Sequence, residues 1–446
     1  MPTTGVPARL VLPEPDCFTL SCGAAVRLLE RHDLPVVAVE ALLPGGAGAT
    51  PVAHAGLATL TADMLDEGAG GRSALALART LDGLGAGFDS VAGYEDSRVR
   101  LWVLSPRLPE ALSVMADVLM RPTLASDELD RVRCERMDTV LQLRDEPGSL
   151  AADALASLLY GPGHPWGQSL LGTRASLGGI TRDDVVRYHA ERYQPGNITF
   201  VVAGDVTEAV LRELLEERFA GWEGRTESSG IECAVPEPDG TVVHVLDRPR
   251  AAQSEVRVGR ISASRCTPDY FSVVALNTIL GGAFTSRLNA RLREEKGFTY
   301  GAHSTFHMRR SPGPFIARAA VHTPVTDQTV RVILEELTRL VEEPVPEGEL
   351  ERAKRYVALR LPQAFEALGD LVTRIAEQVL YGLPEDYWAT YVPQLLAVDR
   401  QEVRAAAQRY LDPQSMTVLV VGDRAAIEER LRGLEIPVRL LTEEAA

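Results

Sequence analysis

A duplicated α+β fold, two similar lobes in one chain, follows from the length of 446 residues and from a segment near the middle that recurs near the end. A chain this long exceeds what one hydrophobic core organises, and two domains of roughly 200 residues each are the ordinary solution. Hydrophobic residues make up 45% and charged residues 24%, so a core can form beneath a well-solvated surface. The repeat pairs ITRDDVVRYHAERYQPGNITFVVAGD, ending at Asp205, with VDRQEVRAAAQRYLDPQSMTVLVVGD, ending at Asp423. Each copy holds an amphipathic helix ending in Arg-Tyr, a Pro turn, an apolar β-branched strand, and a Gly-Asp that suits a following helix with Asp as N-cap. A second echo pairs DELDRVRCERMD, from Asp127, with GELERAKRYVAL, from Gly348.

Between the copies, EGRTESSGIECAVPEPDG, residues 223–240, is too polar and too rich in Gly, Pro and Ser to join either core. It is read as the linker, with lobes at 1–222 and 241–446. The net charge of −16, with no clustered Lys or Arg, excludes a nucleic-acid binder and disfavours anionic membranes. The cysteines Cys17, Cys22, Cys134, Cys233 and Cys266 are odd in number and scattered without a CxxC, so neither a disulfide framework nor a zinc knuckle is expected. Prolines interrupt the N-terminus where a secretion signal would be apolar, and no run reaches the ~18 apolar residues of a membrane span. A cytoplasmic protein is expected.

The run GLATLTADMLDEGAGGRS, from Gly56, has the rhythm of a helix with one apolar face, at Leu57, Leu60, Met64 and Leu65. The later run NTILGGAFTSRLNARLREEKGFTYGAHSTF begins at Asn277. With YGPGHPWGQSLLGT (Tyr160 to Thr173) and YGLPEDYW (Tyr381 to Trp388), these segments resemble the pitrilysin/insulinase-type zinc peptidases over essentially the whole chain. The resemblance implies two lobes, each a mostly antiparallel sheet covered by helices, forming half of a clamshell chamber that a partner of similar size completes. Active members carry an HxxEH helix, with two His ligands and a Glu general base, and a further Glu ligand downstream. Aligned on GLA, Thr59 and Asp63 stand where the histidines belong and Ala62 where the base belongs, while counting on from Asp63 brings Thr139 to the distal Glu position. Every zinc-site position is therefore substituted, and one carboxylate does not hold Zn²⁺ against water. The chain is expected to carry no metal or other cofactor. The His303 and His307 pair falls in a stretch read as a strand, where residues four apart lie ~13 Å from each other, too far for one ion.

What the chain retains is LREEKGFTY, in which Arg293 and Tyr300 stand at the spacing of a family pair that reaches across to the peptide bound by a zinc subunit. Leu288 and Leu292 form an apolar i, i+4 pair on a helix, and Gly297 suits its C-terminal cap. In an unrelated protein, an Arg beside Glu294 and Glu295 is a solvated ion-pair partner and a Tyr after a Gly is a core residue with a wet hydroxyl. Gly281, Gly282 and Phe284 are candidates for contact with the substrate, although a Gly-Gly turn before a helix serves structure equally well.

The resemblance thus implies a non-catalytic, substrate-holding subunit of a heterodimeric zinc endopeptidase, inactive alone, with zinc in an HxxEH-bearing partner. The substrates would be peptides or leader segments, held by addition to an exposed strand edge. A proteolytically silent scaffold subunit and a stand-alone peptide-binding protein are the alternatives.

Overall fold

The computed structural model describes residues 14–224, 236 and 240–442. Cys233 and most of the expected 223–240 linker lie outside the described residues. The first sheet contains β1 (Asp16–Thr19), β2 (Ala25–Glu30), β3 (Val36–Pro44), β4 (Gly87–Ala92), β5 (Asp96–Leu104) and β6 (Thr199–Gly204). Their spatial order is β1-β2-β6-β3-β5-β4, antiparallel except where β2 meets β6. The second sheet contains β7 (Val242–Asp247), β8 (Gln253–Ile261), β9 (Ala302–Phe306), β10 (Pro314–His322), β11 (Thr417–Gly422) and β12 (Val438–Leu441). Its order is β9-β10-β8-β11-β7-β12, with parallel pairing confined to β7 and its neighbours β11 and β12.

The sheets match strand for strand: β2 through β6 of the first correspond to β7 through β11 of the second, in the same spatial order and with the same parallel pair. Only the outermost strand differs, because β1 enters from the start of the first lobe and β12 from the end of the second. The sequence repeat falls on matching elements, the helices Arg182–Arg192 and Arg400–Tyr410 followed by β6 and β11. Both helices open with a capping box, Thr181 with Asp184 and Asp399 with Glu402. The expected Asp caps part company. Asp423 caps the next helix by accepting from the Ala425 amide at 3.2 Å. Asp205 does not, because its carboxylate lies 2.7 Å from His32 Nδ1 and the helix begins only after Thr207.

The strands β6 and β11 read TFVVAG and TVLVVG, apolar on both faces. A strand buried on both sides must be covered on both sides. Phe200 and Val202 face the helices of the first lobe, whereas Val201 and Ala203, with Leu29, Ala38 and Leu42, face the helix Leu368–Tyr381 of the second lobe. Reciprocally, Val418 and Val420 face their own lobe, and Leu419, Val421 and Leu246 face Leu150, Ala151, Ala154 and Leu155 of the first-lobe helix Pro147–Tyr160. Each lobe thus covers the other's sheet. The seam is closed further by Arg309, which follows β9 and stacks its guanidinium over Tyr94 at 4.3 Å and Trp166 at 4.7 Å. Beside it Glu95 accepts from the Arg310 amide (2.7 Å) and the Tyr381 hydroxyl (3.0 Å). Among the described residues, no helix is long and apolar enough to cross a membrane.

This exchange predicts that neither lobe folds alone. Residues 1–222 and 241–446 expressed separately should be insoluble or molten, and co-expressed they should reassemble into a soluble complex. Cooperative melting of either half by itself would refute the prediction.

Candidate functional site

In the first lobe the helix Leu57–Asp63 begins after Gly56, and all its residues but Asp63 are buried. Thr59 points into the protein and donates to the Leu170 carbonyl at 2.6 Å. Ala62 is sealed in the core. The group that meets this helix is Arg136, from the helix Ser126–Asp145. Its Nη1 donates to Thr59 Oγ1 and its Nη2 to Asp63 Oδ2, and only 6% of its side chain is exposed. A guanidinium therefore bridges the two positions that hold the histidines in an HxxEH helix. Burial lifts the Asp63 carboxyl above its ordinary value, and the Arg136 charge pulls against that rise. Thr139 lies one turn beyond Arg136, exposed, with its hydroxyl bonded to the Glu135 carbonyl at 2.9 Å.

A guanidinium offers only donors and repels a divalent cation, so the residues present do not fit zinc at this place. Among the described residues no three His, Cys, Asp or Glu side chains converge to hold a metal ion. His303 lies in β9 and His307 just past its end, as the strand reading required. Beside the Leu57–Asp63 helix runs β4, the outer strand of its sheet, with an edge that no other strand among the described residues covers.

In the second lobe the helix Tyr270–Asn277 continues into wide π turns over Thr278–Gly282, and a second π-helical stretch spans Asn289–Glu295. Such stretches gather at functional sites because they redirect side chains. Between them the chain presents Ala283 and Phe284. Asn289, fully buried, ties the region together: its amide nitrogen donates to the Ala283 carbonyl (3.3 Å) and Ser286 Oγ (3.2 Å), and its oxygen accepts from the Ala302 amide (3.0 Å). The other face is anchored by Glu336, which is wholly buried and lies 3.0 Å from Arg291 and 2.9 Å from Arg339, while Arg287 grips Glu349 bidentately at 2.9 and 2.7 Å. Burial works against the Arg287 charge, but the carboxylates of Glu349 and Glu336 outweigh it and hold the guanidinium above its ordinary value.

This framework displays Arg293 and Tyr300. Gly297, at φ +65°, ends the helix in the left-handed conformation expected of its cap, and the Phe298 amide returns to the Leu292 carbonyl at 2.8 Å. Tyr300 then stands 93% exposed. It is not a core residue with a wet tip. Arg293 lies with its guanidinium carbon 4.3 Å from the centre of the Phe284 ring. Its Nη1 is shielded from water yet donates no hydrogen bond, with Glu294 only at ion-pair distance, 3.6 Å. Phe284 is 67% exposed. The glycines serve packing: a Cβ on Gly281 would lie 2.4 Å from the Ser304 amide nitrogen of β9, and one on Gly282 would lie 2.9 Å from Asn277 Nδ2.

Sequence reading missed Arg136 and Asn289. Arg136 carried a signal, since it continues the buried stripe of Leu129 and Val132 at i+7 and i+4. A charged residue on an apolar stripe calls for a buried partner.

Comparison with known proteins is consistent along the chain. Residues 27–174 match the family profile described as Insulinase (Peptidase family M16), and residues 179–357 match the Peptidase M16 inactive domain. An uncharacterized zinc protease YmxG of Bacillus subtilis is 22% identical over 392 residues, covering 87% of this chain and 94% of that protein. A Helicobacter pylori protein named as a non-peptidase homolog YmxG is 22% identical over 402 residues, covering 89% of this chain and 91% of that protein. The crystal structure of a peptidase M16 inactive domain from Pseudomonas fluorescens superposes with a TM-score of 0.85 at 26% identity, covering 92% of this chain and 98% of that one.

The bridging role of Arg136 predicts a stability defect. Arg136→Ala removes the donor to Thr59 Oγ1, which keeps its own bond to the Leu170 carbonyl, and leaves Asp63 unpaired, and should cost about 2–3 kcal/mol, discounted because Asp63 is partly solvated. Arg136→Lys should recover only part, because one ammonium does not span both acceptors. Chemical denaturation of the three proteins measures both.

Proposed function

Because the chain belongs to the M16, insulinase-type, peptidase family, we propose that it is the non-catalytic, substrate-holding subunit of a heterodimeric zinc endopeptidase acting on peptides or leader segments. The observation that carries this reading is the contrast between the two lobes. The zinc-site positions are bridged by a buried guanidinium, while on a braced framework Tyr300 stands out in solvent and Arg293, half-buried against Phe284, has an Nη1 that makes no hydrogen bond. The zinc and the HxxEH helix belong to the partner. When bound there, the metal supplies the Lewis acid and activates the attacking water.

This chain contributes hydrogen-bond donors. The Tyr300 hydroxyl donates to the carbonyl oxygen of the scissile bond as it gains negative charge, so the interaction strengthens toward the transition state. The Arg293 fork donates to a neighbouring substrate carbonyl and fixes the register of the peptide before reaction. An extended peptide gains further backbone hydrogen bonds at an open strand edge, which recognises main chain more than side chain and suits varied sequences. Exposed free thiols at Cys17, Cys134 and Cys266 fit a reducing, cytoplasmic setting.

Two outcomes are expected of the pair formed with its HxxEH-bearing partner. Tyr300→Phe should lower turnover ~10²–10³-fold, as removal of one oxyanion donor does. Its melting temperature should not move, because the ring is 93% exposed. Arg293→Ala should raise KM as well as lower kcat. Steady-state kinetics on a fluorescence-quenched unstructured peptide, with melting curves alongside, decides the matter. Full activity of Tyr300→Phe would refute the catalytic role and favour a silent scaffold.

The chain purified alone should hold no stoichiometric zinc and cleave no peptide. Elemental analysis finding one tightly held zinc per chain would overturn the assignment of the metal to the partner.

A further inference from the structure

We propose that Phe284 is a positioning residue for Arg293: its ring, and no hydrogen-bonded carboxylate or carbonyl among the described residues, sets the direction of the guanidinium that grips the substrate. This rests on the substrate-holding reading of Arg293 given above. Large aromatic side chains are ordinarily buried, yet Phe284 is 67% exposed and contributes little to the core. What it covers is Arg293, with the guanidinium carbon 4.3 Å from the ring centre. Nearby arginines of the same segment are fixed by hydrogen bonds, Arg287 to Glu349 and Arg291 to Glu335 and Glu336. Arg293 has no such tether: among the described residues its one close carboxylate is that of exposed Glu294, 3.6 Å away, and its Nη1 makes no hydrogen bond.

Stacking is suited to this task. A carboxylate partner would occupy the edge nitrogens, which are the donors a substrate carbonyl needs, and would lower the positive charge they present. An aromatic face holds the guanidinium plane by cation–π attraction and leaves its donor edge available. The backbone beside the ring is held by the framework: the Ala283 carbonyl, one residue before it, is pinned by Asn289, which also binds the segment leading from Tyr300 into β9. Phe284, Arg293 and Tyr300 are thereby tied to one buried side chain.

The test uses the active heterodimer and the same fluorescence-quenched peptide. Phe284→Ala should lower kcat/KM roughly three- to tenfold, the range corresponding to loss of a partly solvated cation–π contact. The loss should fall mainly on KM, with the melting temperature unchanged. Phe284→Tyr, which keeps the face, should remain within about twofold of the parent. In an Arg293→Ala background, Phe284→Ala should have no further effect, because the residue acts only through the arginine. On the isolated chain, ¹⁵Nε relaxation of Arg293 should show a more mobile side chain in Phe284→Ala than in the parent. If Arg293→Ala impairs activity but Phe284→Ala does not, or if the two losses simply add, the positioning role is refuted and the function stands. If neither substitution alters activity, the substrate-holding function fails, and an unchanged Arg293 relaxation rate would separately overturn the positioning claim.

Discussion

Each sheet has a face that its own lobe leaves open, and the exchange of one covering helix in each direction is what makes this chain a single structure. The strands β6 and β11 are apolar on both faces, so half of their surface would meet water if the lobes parted. Helix Leu368–Tyr381 covers one and helix Pro147–Tyr160 the other. The two candidate sites inherit a fixed relationship from this arrangement. Helix Ser126–Asp145, which carries Arg136, runs almost directly into the helix that covers the second sheet, with only Glu146 between them. The segment around Arg136 and the second lobe are thus linked through the same seam.

Within that frame, Arg136 cross-links two helices at Thr59 and Asp63, the positions that the family resemblance assigns to metal ligands. A zinc ion draws together ligands from two helices, and deleting those ligands removes the cross-link as well as the chemistry. A buried guanidinium restores the cross-link with groups of ordinary availability: one hydroxyl and one carboxylate as acceptors, and planar donors that reach both. It retains a positive charge near the place where the cation would sit, so local electrostatics change less than the chemistry does. A guanidinium neither lowers the pKa of a bound water usefully nor accepts a proton at neutral pH, so it does not supply the chemistry of a zinc ion.

How much of this was legible in the sequence depends on what each signal encodes. Doubly apolar β6 and β11, the capping boxes and the Pro turns are local facts, and the repeated segments fell on matching elements. Which lobe supplies the cover was not legible. The stripe of Leu371, Val372, Ile375 and Ala376 states that one face is buried and says nothing of the sheet it meets. Counting residues from Asp63 reached the helix that carries Arg136, but Thr139, about 60° around that helix from Arg136, is itself exposed. The stripe through Leu129, Val132 and Arg136 gave the phase that counting did not. Likewise the Gly281-Gly282 turn could be read as room for a ligand until the position of β9 was known; the closeness of Ser304 shows that the space is already used.

The second lobe shows why exposure and order must be argued together. An exposed tyrosine on a mobile loop would lose conformational freedom on meeting a substrate, and that cost would offset the hydrogen bond gained. Here Tyr300 follows a helix closed by Gly297 and precedes a strand whose first amide is held by Asn289, so its backbone is ordered in advance. The helix itself rests on Glu336, a buried carboxylate that is costly to bury alone and therefore holds the arginines around it firmly. Stability is thus concentrated beneath the segment, and the donors above it are left unsatisfied. A folded chain gains nothing for itself from a shielded guanidinium nitrogen without an acceptor or from a fully solvated phenol ring. The exposed Tyr300 hydroxyl gains an acceptor when another molecule brings a carbonyl oxygen to it, which is what the proposed substrate-holding role requires.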